Sequence, residues 1–321
     1  MFAVRGIAVS FSVFVLIYGA LSMLVCGLWR RVWLGSRQHA ARRWADLLFA
    51  LRIAPFLVAS GVTLAFAVPS FLLLEPRAVD EPMSAVPVAL GLCGMVVLLA
   101  GLWKAGAAWV RALQTVSRWS SEACVTGSSA LGSINSVSVM RISGTAPPLT
   151  AAGILRPSVW LSQAAEGVLT ERELRSALSH EVVHVRRWDN LRKLVLRLVA
   201  FPGMADIERA WSQATEMAAD DAAVSNASEA LDLAAALIKL SRLAPLLPAA
   251  ELTTALINSP AESVNARVER LIAWTEPEQT SPRGYSFLYA FCASAAMVVT
   301  LAVTYSEVLV RVHAATEWLV R

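Results

Sequence analysis

The stretch His180-Glu181-Val182-Val183-His184 decides how the rest of this chain is interpreted. Residues four apart lie on the same face of an α-helix, so the two imidazoles can bind one metal ion. Glu181 then lies beside that ion, where its carboxylate can accept a proton from water. Because a pattern of five residues also arises by chance, the surrounding sequence has to support this interpretation.

The composition is that of a membrane protein. Of 321 residues, 56% are hydrophobic and 16% are charged, whereas soluble domains carry about 25% charged residues. Four apolar runs have close to the ~20 residues that cross a bilayer, namely Ile7–Trp29, Ile53–Leu74, Val86–Trp103 and Tyr285–Tyr305. We therefore predict a membrane α-helical fold with four transmembrane helices in the lipid bilayer. A cleaved signal peptide is the alternative for the first run, but its apolar core exceeds the usual ~7–15 residues.

The charges between these runs predict the orientation. The loop 30–45 carries five arginines, whereas the loop 75–85 carries three acidic residues and one arginine. Basic loops stay in the cytosol, so both termini are expected outside and the long segment 111–284 inside. The domains are then three transmembrane helices over 1–110, a cytosolic domain over 111–284, and a fourth transmembrane helix with a short external tail over 285–321.

Neither the basic loop nor the cysteines indicate a further function. Tryptophans between the arginines of the basic loop could bind nucleic acid, but Trp29, Trp33 and Trp44 are placed as interfacial residues beside the spans. We expect no direct nucleic-acid binding. The 4 cysteines fall mainly within spans, so no disulfide framework is expected either.

The first part of the cytosolic segment predicts β-structure. Ser120–Ser136 is rich in small residues and is expected to be a linker. Val137–Ser143 alternates as a strand does, and Gly153–Ser162 gives a second strand with Pro157 inside it. Because proline cannot donate to a strand ladder, the second strand is expected at a sheet edge or to contain a bulge. An extended substrate could pair with that edge as an added strand.

The helix that carries the metal motif has its own start signal. Thr170 and Glu173 form a capping box of the Thr-x-x-Glu type, which marks a helix N-terminus. The helix predicted from this point runs through the two histidines. The motif therefore falls on a helix, as its chemistry requires.

The third metal ligand is expected to be a carboxylate. A catalytic zinc ion usually has three protein ligands, and the other two histidines of this chain lie outside the cytosolic segment. Ala210–Val224 is predicted to be helical, with Glu216 and Asp220 four apart on one face. Glu216 would bind the metal, and Asp220 would hydrogen-bond a ligand histidine and fix its tautomer. The alternative is a pair of solvated acids on an alanine-rich helix.

Three motifs together resemble a known family. Gly153–Pro157 (GILRP), His180–Asn190 (HEVVHVRRWDN) and Glu216–Ala222 (EMAADDA) occur in this order between the third and fourth apolar runs. They resemble the BlaR/MecR-type antirepressor metallopeptidases, which are integral-membrane zinc proteases known from beta-lactam sensing. The resemblance covers most of the chain and implies an inserted α+β zinc metallopeptidase domain of the gluzincin type.

The resemblance also implies residue roles and a location. It implies Zn²⁺ as the cofactor, with His180, His184 and Glu216 as its ligands and Glu181 as the catalytic glutamate. The location it implies is the cytoplasmic membrane of a bacterium. Arg267 is a candidate for stabilising the oxyanion, by elimination and by a loose likeness to an arginine of related membrane zinc peptidases. A solvated helix arginine is the alternative for that position.

Some residues near the motifs are expected to be structural or exposed. Arg186, Arg187 and Asp189 follow the second histidine, and we expect them to pair across the helix or face the membrane surface. His313, in the amphipathic tail, is expected to be exposed.

The sequence also departs from the family. Its beta-lactam sensors carry a large external penicillin-binding domain, for which the segment Ser306–Arg321 is too short. We therefore expect no direct beta-lactam binding, and a separate sensor protein is a candidate partner.

The resemblance implies an endopeptidase of regulated proteolysis. Its favoured substrate is a cytosolic transcriptional repressor, and the chain could also cleave itself within Thr275–Gly284. Two alternatives stay open. One is a membrane quality-control zinc protease, and the other is a non-catalytic signal transducer.

Overall fold

The computed structural model describes residues 2–32, 41–75, 84–125, 130–134, 136–142, 147–199, 201–243, 254–255, 261–274 and 304–318. The chain divides into two compact units. The first unit comprises Met1–Arg30, Ile53–Ala100 and Pro277–Arg321, and the second comprises Arg31–Arg52 and Gly101–Glu276.

Long apolar helices dominate the N-terminal part of the chain. They are α1 (Phe2–Val32), α2 (Ala41–Val62), which continues through a π-helical turn (Thr63–Ala67) into α3 (Val68–Leu74), and α4 (Ala85–Val125). Three helical stretches are long and apolar enough to cross a membrane, which agrees with the first three predicted spans. The predicted fourth span, Tyr285–Tyr305, lies outside the described residues except for its last two. These begin helix α11 over 304–318.

Close packing of α1 against α4 defines the first unit. A methyl group added at Gly94 would lie 2.5 Å from the carbonyl oxygen of Phe11, and one at Gly91 would lie 2.7 Å from that of Ala8. The buried Ser12 hydroxyl donates a hydrogen bond of 2.8 Å to the carbonyl of Pro87. Small residues let apolar helices approach this closely, which is how helices associate within a membrane.

A mixed five-stranded sheet forms part of the second unit. Its strands are β1 (Ala130–Ile134), β2 (Val137–Ile142), β3 (Leu149–Ala152), β4 (Ser158–Ser162) and β5 (Thr254–Ala255). They lie in the order β1-β2-β4-β3-β5, with β2 and β4 parallel and the other pairs antiparallel. The predicted strand over Val137–Ser143 is confirmed. The predicted linker Ser120–Ser136 is wrong where the structure describes it, since α4 extends to Val125 and β1 begins at Ala130.

The predicted edge position of the second strand is also wrong. Strand β4 pairs with β2 on one side and with β3 on the other, so it is interior to the sheet. Pro157 immediately precedes β4, and its missing N–H therefore costs the ladder no hydrogen bond. Because β4 has no free edge, a substrate cannot add to it as a further strand.

Helices pack against the sheet to form the core of this unit. They are α5 (Gln163–Val168), α6 (Glu171–Arg186), α7 (Asp189–Leu198), α8 (Ala205–Ala223), α9 (Ala227–Leu243) and α10 (Ala261–Ile272). The core contains apolar side chains of β2, β3 and β4 together with those of α6, α9 and α10. On the other face of the sheet, Trp160 packs against Trp119 of α4.

The capping box that starts α6 is confirmed. The Thr170 hydroxyl accepts a hydrogen bond from the backbone N–H of Glu173, and the Glu173 carboxylate accepts one of 2.8 Å from the N–H of Thr170. Both bonds satisfy donors that the first turn of a helix leaves free. Helix α6 is thereby fixed at its start, nearly three turns before His180.

Candidate metal centre

Three donor side chains converge between α6 and α8. The Nε2 atoms of His180 and His184 lie 3.0 Å apart. Glu216 directs one carboxylate oxygen to each of them, at 3.5 Å from His180 Nε2 and 3.7 Å from His184 Nε2. All three residues are buried. Helical periodicity accounts for this arrangement, because the two histidines lie one turn apart on the inner face of α6.

The spacing of these donors fits a shared metal ion. Two ligand atoms about 2.0–2.1 Å from a tetrahedral zinc ion are about 3.3–3.4 Å apart. The separations in the structure are 3.0, 3.5 and 3.7 Å, which lie on both sides of that value. The two contacts of Glu216 with the histidines are longer than good hydrogen bonds, and the charged partner of its buried Oε2 is Arg267, at 3.0 Å. The group can therefore hold a metal ion, and its two nitrogens and one carboxylate suit zinc.

Asp189 orients the second histidine. Its Oδ2 lies 2.7 Å from Nδ1 of His184, and both side chains are buried. Between α6 and α7, Trp188 has φ 57° and ψ 37°, a left-handed conformation that turns the chain back towards the site. A carboxylate on the far nitrogen of a metal-binding histidine fixes its tautomer and raises its basicity. Burial of Asp189 excludes the membrane surface, and the predicted pairing is present with Arg187 at 3.8 Å, but the contact with His184 was not predicted.

Asp220 and Arg267 support the first histidine. Asp220 Oδ1 lies 3.0 Å from Nδ1 of His180, as the helical spacing predicts, although the contact is poorly aligned for a hydrogen bond. Arg267, on α10, donates two hydrogen bonds to the Asp220 carboxylate, at 2.8 and 2.6 Å. Its Nη1 also lies 3.0 Å from Oε2 of Glu216.

Arg267 is 2% exposed, so the alternative of a solvated helix arginine is wrong. The guanidinium of Arg267 spans the two carboxylates that lie beside the histidines. The structure thus brings Arg267 into the site, in contact with its acidic residues.

Glu181 is held by the sheet. Its Oε2 accepts a hydrogen bond of 2.8 Å from the backbone N–H of Ala151 in β3, whereas its buried Oε1 has no hydrogen-bond partner among the described residues. Burial raises the pKa of Glu181 to about 7, although the neighbouring histidines oppose this effect. Such a carboxyl group can both accept and release a proton near neutral pH.

Asn190 joins the same strand to α7. Its amide donates hydrogen bonds to the carbonyls of Ala151 and Gly153, at 3.2 and 3.0 Å. Gly153 follows β3 with φ 102°, which favours glycine, and a methyl there would lie 2.8 Å from the carbonyl of Arg156. This tight turn positions the strand end that holds Glu181. Sequence reasoning did not find the role of Asn190, since the strand it contacts is distant in the chain.

Glu216 and Asp220 are ionised. Burial alone would raise the pKa of Glu216, but the charges of His184 and Arg267 hold it well below its usual range. Burial opposes ionisation of Asp220 as well, and Arg267 lowers its pKa to about 2. For His184 burial would lower the pKa, and the carboxylates of Glu216 and Asp189 raise it to about 10. A metal ion that binds Nε2 of His184 at neutral pH therefore has to displace a proton.

The structure brings together every predicted site residue, namely His180, Glu181, His184, Glu216, Asp220 and Arg267. It adds Asp189 and Asn190, which were not predicted as site residues. Arg187 lies 3.8 Å from Asp189 and 3.7 Å from Asp46. The signal for Asp189 was available in the sequence, as an acidic residue just after the helix that carries both histidines.

Comparison of this chain with models of known protein families gives no match, and a search of curated proteins gives none either. The site is therefore interpreted from its own geometry and chemistry.

Proposed function

We propose that this chain is a membrane-embedded zinc-dependent endopeptidase. The observation that supports the proposal most strongly is the position of Glu181. One of its carboxylate oxygens is fixed by Ala151, and the other is buried beside a His-His-Glu group without a hydrogen-bond partner among the described residues. A protein that used this metal group only for structure would not require a proton acceptor next to it.

Each residue of the site has its own role in the proposed peptide hydrolysis. His180, His184 and Glu216 hold the ion, which when bound polarises a carbonyl group and acidifies water. Glu181 accepts a proton from the attacking water at Oε1 and passes it to the nitrogen of the leaving amine as the peptide bond breaks. Asp189 and Asp220 keep the two imidazoles in the orientation that directs their Nε2 atoms inward.

Arg267 is assigned to positioning in this proposal. Its guanidinium is engaged by two hydrogen bonds to Asp220 and a contact with Glu216. An arginine fork matches carboxylate geometry and so fixes both acidic side chains at once. Stabilisation of an oxyanion by Arg267 would require one of these contacts to be exchanged for a contact to substrate.

The proposed setting is a four-span protein with a gluzincin-type domain facing the cytosol and both termini outside. Arg5, at the start of α1, lies 3.2 Å from Glu75, at the end of α3. The N-terminus and the acidic loop that follows Glu75 therefore begin at the same end of the first unit. Two crossings of the membrane between them account for this, and the charge pattern of the loops supports placing that end outside, in the cytoplasmic membrane of a bacterium.

The proposed substrate is a cytosolic transcriptional repressor, as the family resemblance suggests, with a separate protein as the sensor. Self-cleavage within Thr275–Gly284 is part of the proposal, and that segment lies outside the described residues. The two alternatives to regulated proteolysis are cleavage of misfolded membrane proteins and signal transmission without cleavage.

The test compares new protein N-termini in cells that express the full chain or its Glu181→Gln variant. Glutamine keeps the size of the side chain but cannot accept the proton, so the proposal predicts zinc retained and cleavage lost. Glu171→Gln is a matched control, because Glu171 lies in the first turn of the same helix with its side chain 87% exposed.

A single repressor-derived N-terminus that requires Glu181 supports regulated proteolysis. Many unrelated N-termini indicate quality control. An identical set in cells with either chain contradicts the peptidase proposal and favours a non-catalytic transducer.

A further inference from the structure

A second group of metal-binding side chains lies in the first unit, apart from the site already described. Glu75 follows α3, and His313 and Glu317 lie one turn apart on α11. One ligand atom from each of the three residues lies within 4.8 Å of the other two. The proposed peptidase chemistry uses none of them.

The distances within this group are those of ligands and not of hydrogen bonds. His313 Nε2 lies 3.9 Å from Glu75 Oε2 and 3.6 Å from Glu317 Oε1, and both distances are too long for a hydrogen bond. An imidazole nitrogen between two carboxylates, and bonded to neither, is close to the arrangement that an ion would complete. Ligands of a tetrahedral zinc ion are about 3.3–3.4 Å apart, so each carboxylate has to move less than ~0.6 Å closer to Nε2. The ligand oxygens of the two carboxylates lie within 4.8 Å of each other.

Two of the three side chains are largely buried. The His313 side chain is 16% exposed and that of Glu75 is 9% exposed, so the expectation of an exposed His313 is wrong. The Nδ1 atom of His313 is buried without a hydrogen-bond partner among the described residues. The nitrogen directed at the two carboxylates is Nε2, so an ion would bind there and Nδ1 takes no part in the site.

The local charges favour a divalent cation. Arg5 lies 3.2 Å from Oε1 of Glu75, which leaves Oε2 directed at the imidazole. Two carboxylates thus face one imidazole nitrogen. A divalent ion is therefore attracted, whereas an anion would be repelled.

The position of α11 is fixed independently of this group. The Tyr305 hydroxyl donates a hydrogen bond of 2.8 Å to the carbonyl of Ala65 in the π-helical turn, and its ring lies 5.6 Å from that of Phe66. The first turn of α11 is thus attached to the unit, and its later turns carry His313 and Glu317 past the end of α3.

We propose that Glu75, His313 and Glu317 form a second metal site, which binds a divalent first-row transition-metal ion such as Zn²⁺. One imidazole and two carboxylates are suitable ligands for such ions. The bound ion links α11 to the end of α3 and, through Arg5, to the start of α1. If the proposed topology holds, this site lies at the outer face and gives the chain a direct response to external metal.

The test measures Zn²⁺ bound by the full chain in detergent micelles at micromolar concentration, by equilibrium dialysis. In the His180→Ala/His184→Ala background the first site is removed, so the proposal predicts one remaining equivalent of zinc per chain. Adding His313→Gln or Glu317→Gln to that background should abolish it. Glu307→Gln is the matched control, since Glu307 is exposed on the same helix.

Helical circular dichroism and a single elution peak establish that each variant is folded. If His313→Gln is not folded, the more exposed Glu317 provides the test, because its side chain is 43% exposed and its substitution disturbs less packing. No zinc in the background variant, or zinc binding that survives both added substitutions, overturns the second site. Neither result bears on the first site. Zinc binding to the first site is measured separately, in the single variant His313→Gln.

Discussion

Nδ1 of His184 lies 2.7 Å from Oδ2 of Asp189, with both side chains buried. The helix that supplies the two histidines ends before Asp189, and the left-handed Trp188 turns the chain so that this carboxylate reaches back to the ring. The site therefore includes a supporting residue that follows the metal motif directly in sequence. Its contribution can be measured separately from that of the metal ligands.

Replacing Asp189 by alanine should weaken zinc binding by about 10–100-fold, the usual effect of removing a carboxylate behind a ligand histidine. The ring of His184 would lose the acceptor that fixes its tautomer. Competition with a zinc chelator measures the change in the His313→Gln chain. Asp221→Ala is the control, because Asp221 pairs with Arg270 and makes no described contact with either histidine. Equal affinities for the two variants would contradict the role of Asp189.

Arg267 is expected to be essential for stability. Its removal by Arg267→Ala leaves Asp220 and Glu216 buried without their cationic partner, a change that costs about 3–5 kcal/mol in comparable buried pairs. Arg270→Ala removes a paired but more exposed arginine, with an expected cost of about 0–1 kcal/mol. Thermal unfolding of both variants in the same detergent compares them. Similar losses of stability in the two variants would show that Arg267 does not hold the carboxylates of Asp220 and Glu216 in the site.

Zinc binding should release protons. The pKa of His184 is about 10 before a metal binds, because Glu216 and Asp189 favour its charged form. Its Nε2 must be unprotonated to bind zinc, so about one proton leaves at pH 7 and zinc affinity rises with pH. Titration calorimetry in two buffers of different ionisation enthalpy counts these protons. Binding heats that are independent of the buffer would contradict this account.

The capping box should make stability depend on pH. Burial opposes ionisation of Glu173, but its hydrogen bonds to Lys239 and Thr170 lower its pKa overall. A lowered folded-state pKa means that the stabilisation is present above the unfolded-state pKa and is lost as pH falls through the folded-state value. Glu173→Gln should therefore cost about 1 kcal/mol at neutral pH, since Lys239 is partly solvated, and less in acid.

The control for this pH dependence is Glu171→Gln in the same turn, whose carboxylate is exposed. Denaturant unfolding of both variants at several pH values measures the difference. A loss for Glu173→Gln that does not decrease in acid would show that the charge of Glu173 contributes nothing.

Local patterns predicted most of the site. The spacing of His180 and His184, the capping box at Thr170, and the pair Glu216 and Asp220 all follow from the 3.6-residue period of a helix. Each requires only that its own segment be helical. The first three apolar helices were also predicted locally, from the length of their apolar runs.

What the sequence did not predict depends on contacts between distant segments. The interior position of β4 follows from its pairing with both β2 and β3, which no local pattern encodes. Pro157 suggested an edge strand because the sequence did not show that β4 begins only after it, at Ser158. The contact of Asp189 with His184 depends on one left-handed residue, Trp188, a conformation that is uncommon for a tryptophan.

X-ray absorption at the zinc edge tests the central claim most directly. The sample is the full His313→Gln chain loaded with one equivalent of Zn²⁺, so that only the first site is occupied. The account predicts two imidazole nitrogens and a carboxylate oxygen at about 2.0–2.1 Å, and loss of this signature in Glu216→Gln and His184→Gln. A spectrum without imidazole scattering, or one that neither substitution changes, would contradict a metal centre formed by His180, His184 and Glu216.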